Sequence, residues 1–401
     1  MYHVRKVTED LYWVGASDRR LALFENIHPL PRGVSYNSYL LLDQKTVLFD
    51  TADWSVSRQF FENVEAVLAG RKLDYLVLDH VEPDHAASVG EILLRYPDVK
   101  IIATVKAVEF MGQFGLPLEG RAQAVRDGDT RCFGRHTVTF LSAPMVHWPE
   151  VMVTFDTTDG VLFSADAFGS FGALDGKLFN DEVNFDRDWI DEARRYYTNI
   201  VGKYGPQVQA LLKKAAKLDI RMICPLHGLV WRTGLDYYIK KYDLWSRYEP
   251  EQRGALIVYG SMYGNTESAA DALAAMLVER GVTETEMFDV SKTNVSYLIS
   301  ESFRLSNIVL ACVTYNLGIY PPMLNYLHDM KALNLQNRTF SILENGTWAC
   351  TSGKLMRKFV KEAMKNCRVL GENLSMKSSM GAKQEASLEA YADEIAQSVK
   401  A

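Results

Sequence analysis

From residue 255 onward the chain alternates between short apolar runs and segments of helical spacing, and this constrains the fold more than any other sequence feature. Runs at 255–259, 284–289, 307–313 and 339–343, with a shorter one near 367–370, have the length and composition of buried strands. The intervening and following segments, 265–280, 294–302, 321–331, 352–364 and 384–399, read as helices. Five strands alternating with five helices over roughly 150 residues predicts one doubly wound parallel sheet, an α/β domain. A polar breaker, Glu249-Pro250-Glu251-Gln252-Arg253-Gly254, separates this half from what precedes it. A chain of 401 residues allows two or three domains. The breaker reduces that to two, expected at 1–250 and 251–401.

The first half has no such regularity. Strands are expected at 36–42, 46–49, 73–78, 99–103, 151–155, 161–164 and 220–224, and helices at 54–68, 189–204, 208–218 and 237–248. Thr158-Asp159-Gly160 is a hairpin turn signal between two of the strands. This mixture predicts sheets with helices outside them, an α+β fold of αββα layering.

Composition narrows the functional classes. Lys plus Arg is 44 against 50 Asp plus Glu, a net charge of -6 without a basic block, which argues against a nucleic-acid partner. No apolar stretch approaches the roughly 18 residues of a membrane span, and the first residues lack a signal-peptide core. Five scattered cysteines, none in a C-x-x-C pair, disfavour both a disulfide framework and a thiolate metal site. A reduced, cytoplasmic protein is expected.

The chemistry begins at His80-Val81-Glu82-Pro83-Asp84-His85, directly after a predicted strand. Four potential ligands fall within six residues, and Pro83 stiffens the turn. Imidazole and carboxylate donors suit iron, zinc or manganese. Taken singly, His147 and His227 would read as structural histidines and Asp166 as a turn cap. Each nevertheless follows an apolar segment beside a Pro or Gly, where a strand end can aim it at the cluster. Seven donors fit a metal pair about 3.5–4 Å apart better than one ion.

A second signal lies between the first strand and helix of the later half: Ser261-Met262-Tyr263-Gly264-Asn265-Thr266. Hydroxyls, an amide and backbone N–H groups at a helix start form an anion site. The loop has neither the lysine of a P-loop nor a G-x-G-x-x-G pattern, which points to a phosphate monoester such as FMN.

The spacing His-x-Glu-x-Asp-His with a distant His, Asp and His resembles the metallo-β-lactamase-like fold, whose hydrolases carry His-x-His-x-Asp-His and two zinc ions. Here Glu82 stands in place of the second His, a harder, more anionic donor that favours iron. The later loop resembles the phosphate loop of flavodoxins. Two further strand ends, Thr314-Tyr315-Asn316-Leu317-Gly318 and Asn345-Gly346-Thr347-Trp348-Ala349, resemble their isoalloxazine-binding loops, although the latter departs from a Gly-Ser-Tyr-Gly-Trp form. The two motifs in this order resemble the flavodiiron proteins (A-type flavoproteins) over essentially the whole chain. Pro31-Arg32-Gly33, Ser35-Tyr36-Asn37 and His147-Trp148-Pro149 are similar to that family as well.

The resemblance implies an N-terminal metallo-β-lactamase-like di-iron domain followed by a flavodoxin-like FMN domain. It implies that His80, Glu82 and His147 hold one iron and Asp84, His85 and His227 the other, with Asp166 bridging. His28 would lie beside the substrate without binding metal. The implied activity is reduction of O2 to water or NO to N2O, with electrons passing through FMN from a separate carrier such as rubredoxin. A head-to-tail homodimer, or a dimer of dimers, would bring the FMN of one chain to the iron pair of the other. The competing expectation is a two-zinc hydrolase fused to a flavodoxin-like electron-transfer module.

Overall fold

The computed structural model describes residues 2–116, 118 and 120–401. The chain divides into two compact units, Met1–Asp243 and Leu244–Ala401, and the division falls inside the helix Leu235–Ser246.

The first unit contains two sheets. One has seven strands in the spatial order Arg5–Lys6, Leu11–Trp13, Tyr39–Leu42, Thr46–Phe49, Tyr75–Leu78, Lys100–Thr104 and Ala122–Val125. The other has five, Thr130–Cys132, Thr137–Ser142, Met152–Asp156, Val161–Phe163 and Met222–Cys224. Apolar residues alternate inward from both sheets into a shared core, where Phe49 and Phe163 stack with ring centroids 3.9 Å apart. The helix Ser57–Leu68 buries Phe60, Phe61, Val64 and Leu68. This is the αββα layering expected, and Gly160, at φ 71°, closes the expected hairpin.

Two elements differ from expectation. Residues 36–42 are not one strand: Val34–Tyr36 pairs with Ala16–Asp18, while Tyr39–Leu42 joins the larger sheet. The break falls at Asn37, whose backbone and side chain are committed to another loop, as described below. The helix expected over 189–204 ends at Tyr196 and continues as a π turn, Tyr197–Val201, and a tight turn, Gly202–Tyr204. Pro206, which has no N–H to donate, then sits in the first turn of a new helix, Gly205–Ala215.

A buried ion cluster ties the edge of the smaller sheet to the N-terminal strands. His136 pairs with Asp156 through Nδ1 at 2.7 Å and with Asp10 through Nε2 at 3.0 Å. Burial opposes its charged form, but these two carboxylates raise its pKa to about 9. The unfolded value is about 6.5. The stabilisation is therefore complete below about pH 6.5 and lost as pH rises through about 9. With allowance for solvent screening this is on the order of 1 kcal/mol. A fall in Tm of about 2–4 °C between pH 6.5 and 9.5 is expected, and His136→Gln should remove that part of the slope. An identical slope in the variant would show that the cluster does not titrate in this way.

The second unit is a parallel sheet with strands in the order Thr285–Asp289, Gln252–Gly260, Leu305–Tyr315, Thr339–Asn345 and Arg368–Val369, that is 2-1-3-4-5 in chain order. This is the flavodoxin-like doubly wound order. The fifth position is split. Arg368–Val369 is followed by a bend at Gly371, φ 41°, and Leu374–Met376 then resumes pairing with Thr339–Asn345. The helices Asn265–Glu279 and Ala382–Lys400 pack against the sheet through Leu273, Leu277, Leu388 and Ile395. No helix among the described residues is long and apolar enough to cross a membrane.

Candidate metal centre and cofactor loops

All seven donors expected from the sequence lie on segments that follow strand ends in the first unit. His80 follows Tyr75–Leu78, and Glu82 precedes a one-turn helix, Pro83–Ala86, that carries Asp84 and His85. Asp50 fixes this turn, its Oδ1 accepting from the N–H groups of Asp79 at 2.9 Å and His80 at 3.2 Å. Thr51 adds a bond from its hydroxyl to the His85 carbonyl at 2.5 Å. Asp166 comes after Val161–Phe163, beside Ala165 at φ 50°, and the Ala165 carbonyl accepts from Leu226 N–H at 3.0 Å. That bond joins the Asp166 loop to the loop of His227.

The donors converge in two groups, His80, Glu82, His147 and Asp166, and Asp84, His85 and His227. In the first, His147 Nε2 is 3.0 Å from Glu82 Oε2 and 3.1 Å from Asp166 Oδ2, and His80 Nε2 is 3.2 and 3.4 Å from the same two oxygens. In the second, Asp84 Oδ2 is 3.3 Å from His85 Nε2 and 3.2 Å from His227 Nε2. Asp166 serves both: its Oδ2 faces the first group, while its Oδ1 lies 3.2 Å from His85 Nε2 and 3.6 Å from His227 Nε2. This is the disposition of a bridging carboxylate.

The spacings fit metal ions better than direct hydrogen bonds. Metal–ligand bonds of about 2.0–2.2 Å place neighbouring ligand atoms about 3.0–3.5 Å apart around an ion. Despite their proximity, His147 Nε2, both Asp84 oxygens and Asp166 Oδ1 are buried without a hydrogen-bond partner. They point at a common centre rather than at each other. Burial alone would neutralise these groups. Instead, burial of Asp166 is overridden by His85 and His80, which hold its carboxyl well below the usual range. Burial of His147 is likewise outweighed by Asp166 and Glu82, which raise it to about 9. The donor set stays ionic inside the protein, and imidazole with carboxylate suits a hard divalent or trivalent ion such as iron. A further grouping, Asp10, His136 and Asp159, is filled by Arg135, which lies 3.1 Å from Asp10 and 3.0 Å from Asp159.

Residues to which the sequence assigned no supporting role hold these donors in place. Asn37 donates through Nδ2 to the carbonyls of Pro225 and Gly228, both at 2.9 Å, and its Oδ1 accepts from Trp13 at 2.9 Å. Ser35 completes the clamp: its carbonyl accepts from His227 Nδ1 at 2.8 Å and its hydroxyl from Gly228 N–H at 2.7 Å. Glu25 lies against Glu82, and burial with the Glu82 charge raises its pKa to about 7. His28 is 7% exposed, with Nε2 at 3.8 Å from Glu25. Burial and the charge of Arg195 lower its pKa to about 4, so it is neutral near pH 7. The Asn37 and Ser35 contacts leave no local spacing signal, since their partners are far apart in sequence.

In the second unit the three loops leave the C-terminal ends of adjacent central strands, at the switch point of the sheet. Gly264, at φ 89°, opens the helix Asn265–Glu279, and the Ser261 hydroxyl accepts from its N–H at 3.1 Å. The first N–H groups of the helix, beside Ser261 and Thr266, form an anion cradle. Asn316 and Leu317, at φ 49° and 60°, make a tight hairpin that pairs Gly318 back onto Tyr315. Thr314 caps a helix, its oxygen accepting from Thr351 N–H at 3.0 Å. Asn345 bonds to Thr266 at 3.2 Å and to the Ser378 carbonyl at 2.9 Å, and its buried Oδ1 has no partner. Thr347 meets the Ser378 hydroxyl at 3.1 Å, which adds a loop that the sequence had not marked. Met262, Tyr263, Tyr315 and Trp348 are exposed, Tyr263 by 89% and Trp348 by 79%. A phosphate cradle beside exposed aromatics fits FMN.

Comparison with known proteins agrees with both units. The family model described as "ODP family beta lactamase" matches residues 34–228, and that of flavodoxin matches 257–372. The rubredoxin oxygen:oxidoreductase of Desulfovibrio gigas superposes with a TM-score of 0.91 at 27% identity, covering 99% of both chains. The flavodiiron protein of Giardia intestinalis shares the fold, with a TM-score of 0.92 at 22% identity, over 100% of this chain and 97% of that one. The anaerobic nitric oxide reductase flavorubredoxin of Aeromonas hydrophila is 33% identical over 357 residues, 88% of this chain and 71% of that protein. The chain belongs to the flavodiiron protein family. The counterpart from Klebsiella pneumoniae is 32% identical over 86% of this chain and 72% of its own length. Membership makes this flavodiiron chain an oxidoreductase and implies FMN and a di-iron centre. The matched ranges include every donor of the two metal groups and all three cofactor loops.

Proposed function

We propose that this flavodiiron protein reduces O2 to water, or NO to N2O, at an iron pair held by His80, Glu82, His147, Asp84, His85, His227 and the bridging Asp166. The observation that carries this reading is Asp166 presenting one oxygen to each donor group. Two adjacent irons supply paired one-electron redox chemistry and open positions for a small gas. The chain's residues supply the rest. Asn37, Ser35 and Asp50 hold the loops that carry the donors, and His28 stands beside Glu25 at the Glu82 side of the centre, uncharged toward a diatomic substrate. Glu82 also weighs against a two-zinc hydrolase, because it replaces a nitrogen ligand with a harder one.

FMN would be held by the phosphate cradle at 261–266, with Tyr315, Asn316, Gly318 and the 345–349 loop around its ring. Thr314 would also support the site through the helix it caps. Electrons would come from a carrier such as rubredoxin, in the cytoplasm. The working unit would be a head-to-tail dimer. Exposed Ile27 and Trp54 in the first unit, and exposed Met262, Tyr263, Leu317 and Trp348 around the cofactor loops, give each face apolar surface for a partner copy.

The test is anaerobic reduction followed by rapid mixing with O2 or with NO, read by flavin reoxidation. Reoxidation by at least one gas within the turnover time is expected, and the faster of the two identifies the preferred substrate. A reduced protein inert to both gases would overturn the reading.

A further inference from the structure

Glu150 ends the loop that carries His147 and is 2% exposed. Its Oε1 lies 2.7 Å from His80 Nδ1 and also accepts from Val81 N–H at 3.2 Å. Its backbone carbonyl is pinned by the Thr104 hydroxyl at 3.0 Å. The opposite nitrogen of the ring, His80 Nε2, faces Glu82 and Asp166. Burying a carboxylate is costly without a compensating charge. A metal ion on the far side of the imidazole supplies that charge through the ring.

The other imidazoles lack this arrangement. His227 Nδ1 bonds to a neutral carbonyl, that of Ser35, and His85 Nδ1 has no hydrogen-bond partner. The two donor groups therefore differ: the one containing His80 has an anionic partner behind a ligand, and the one containing His85 and His227 has none among these contacts.

We propose that Glu150 is a positioning residue for the iron centre. It fixes His80 as the Nδ1–H tautomer, aims Nε2 at the metal, and makes His80 the most strongly donating imidazole of the set. Hydrogen bonding of a ligand imidazole to a carboxylate raises its basicity and typically contributes 10–100-fold to metal affinity. The iron of the His80, Glu82 and His147 group is then the harder of the two to reduce. This rests on the reading of His80 as an iron ligand.

The test compares the iron-loaded protein with its Glu150→Gln variant. Gln keeps an acceptor oxygen for the ring N–H, so a packing role alone would leave the metal signature unmoved. Iron release to a chelator 10–100-fold more favourable than in the unaltered protein is expected. The mixed-valent electron paramagnetic resonance signal should appear at a higher potential. Unchanged iron retention and an unchanged signal would overturn the proposal. Should the variant fail to fold, the unaltered protein loaded with zinc and labelled with 15N-histidine decides the matter. His80 protonated at Nδ1 and metal-bound at Nε2 supports the proposal, and the reverse tautomer overturns it. Iron absent from the unaltered protein as purified would instead defeat the underlying reading of the site.

Discussion

Replacement of Asp166 by Ala is expected to lower gas reduction by more than about 100-fold and to leave less iron per chain. Among the described residues, Asp166 alone is shared by the two donor groups, with Oδ2 at 3.1 Å from His147 and Oδ1 at 3.2 Å from His85. Its removal withdraws one anionic donor from each metal at once. It also leaves His80, His85 and His147 with one less carboxylate, so cationic imidazoles repel one another in a buried space. Flavin content should be unaffected, because the cofactor loops belong to the other unit. Metal analysis, flavin absorbance and oxygen or NO consumption on one preparation check all three. Full gas reduction by the variant would mean that the metal groups are vestigial and that the chain is an electron carrier.

Mixed subunits are expected to complement one another. Asp166→Ala disables the iron pair and keeps the flavin. Ser261→Asp places a carboxylate in the phosphate cradle and should expel FMN while leaving the metal groups intact. Each variant alone should be inactive. Co-expressed at equal levels, they should recover about a quarter of the unaltered activity. Half of the dimers formed at random are mixed, and each mixed dimer has one intact flavin facing one intact iron pair. Activity that never rises above that of the two single variants would show that electrons pass within one chain, contrary to a head-to-tail dimer.

Much of this protein was legible in its sequence, for identifiable reasons. The αββα and doubly wound layers follow from hydrophobic period and the alternation of strand and helix, but the 2-1-3-4-5 order does not, because the same alternation also fits other doubly wound orders. The donors at 80–85 were visible because four ligands crowd one turn, and His147, Asp166 and His227 because each follows an apolar run. What was hidden is the support around them. Asn37 stands out only as part of a family-like stretch inside an expected strand, yet it breaks that strand to hold the His227 loop, 188 residues away at the Pro225 carbonyl. Glu150 lies 70 residues from His80, and no local pattern links them. Thr314 stands out in the sequence because it sits at a strand end, while the capping bond its hydroxyl makes to Thr351 is not visible there. Side-chain direction is set by tertiary contacts, which spacing does not encode. His28, in a Pro-rich segment, reads as readily as a surface residue, but it is buried beside Glu25.

The most direct measurement is metal and flavin content on the protein as purified, by elemental analysis and visible spectroscopy. Two irons and one FMN per chain are expected. Zinc without iron, or a colourless protein without flavin absorbance, would contradict the reading of both sites.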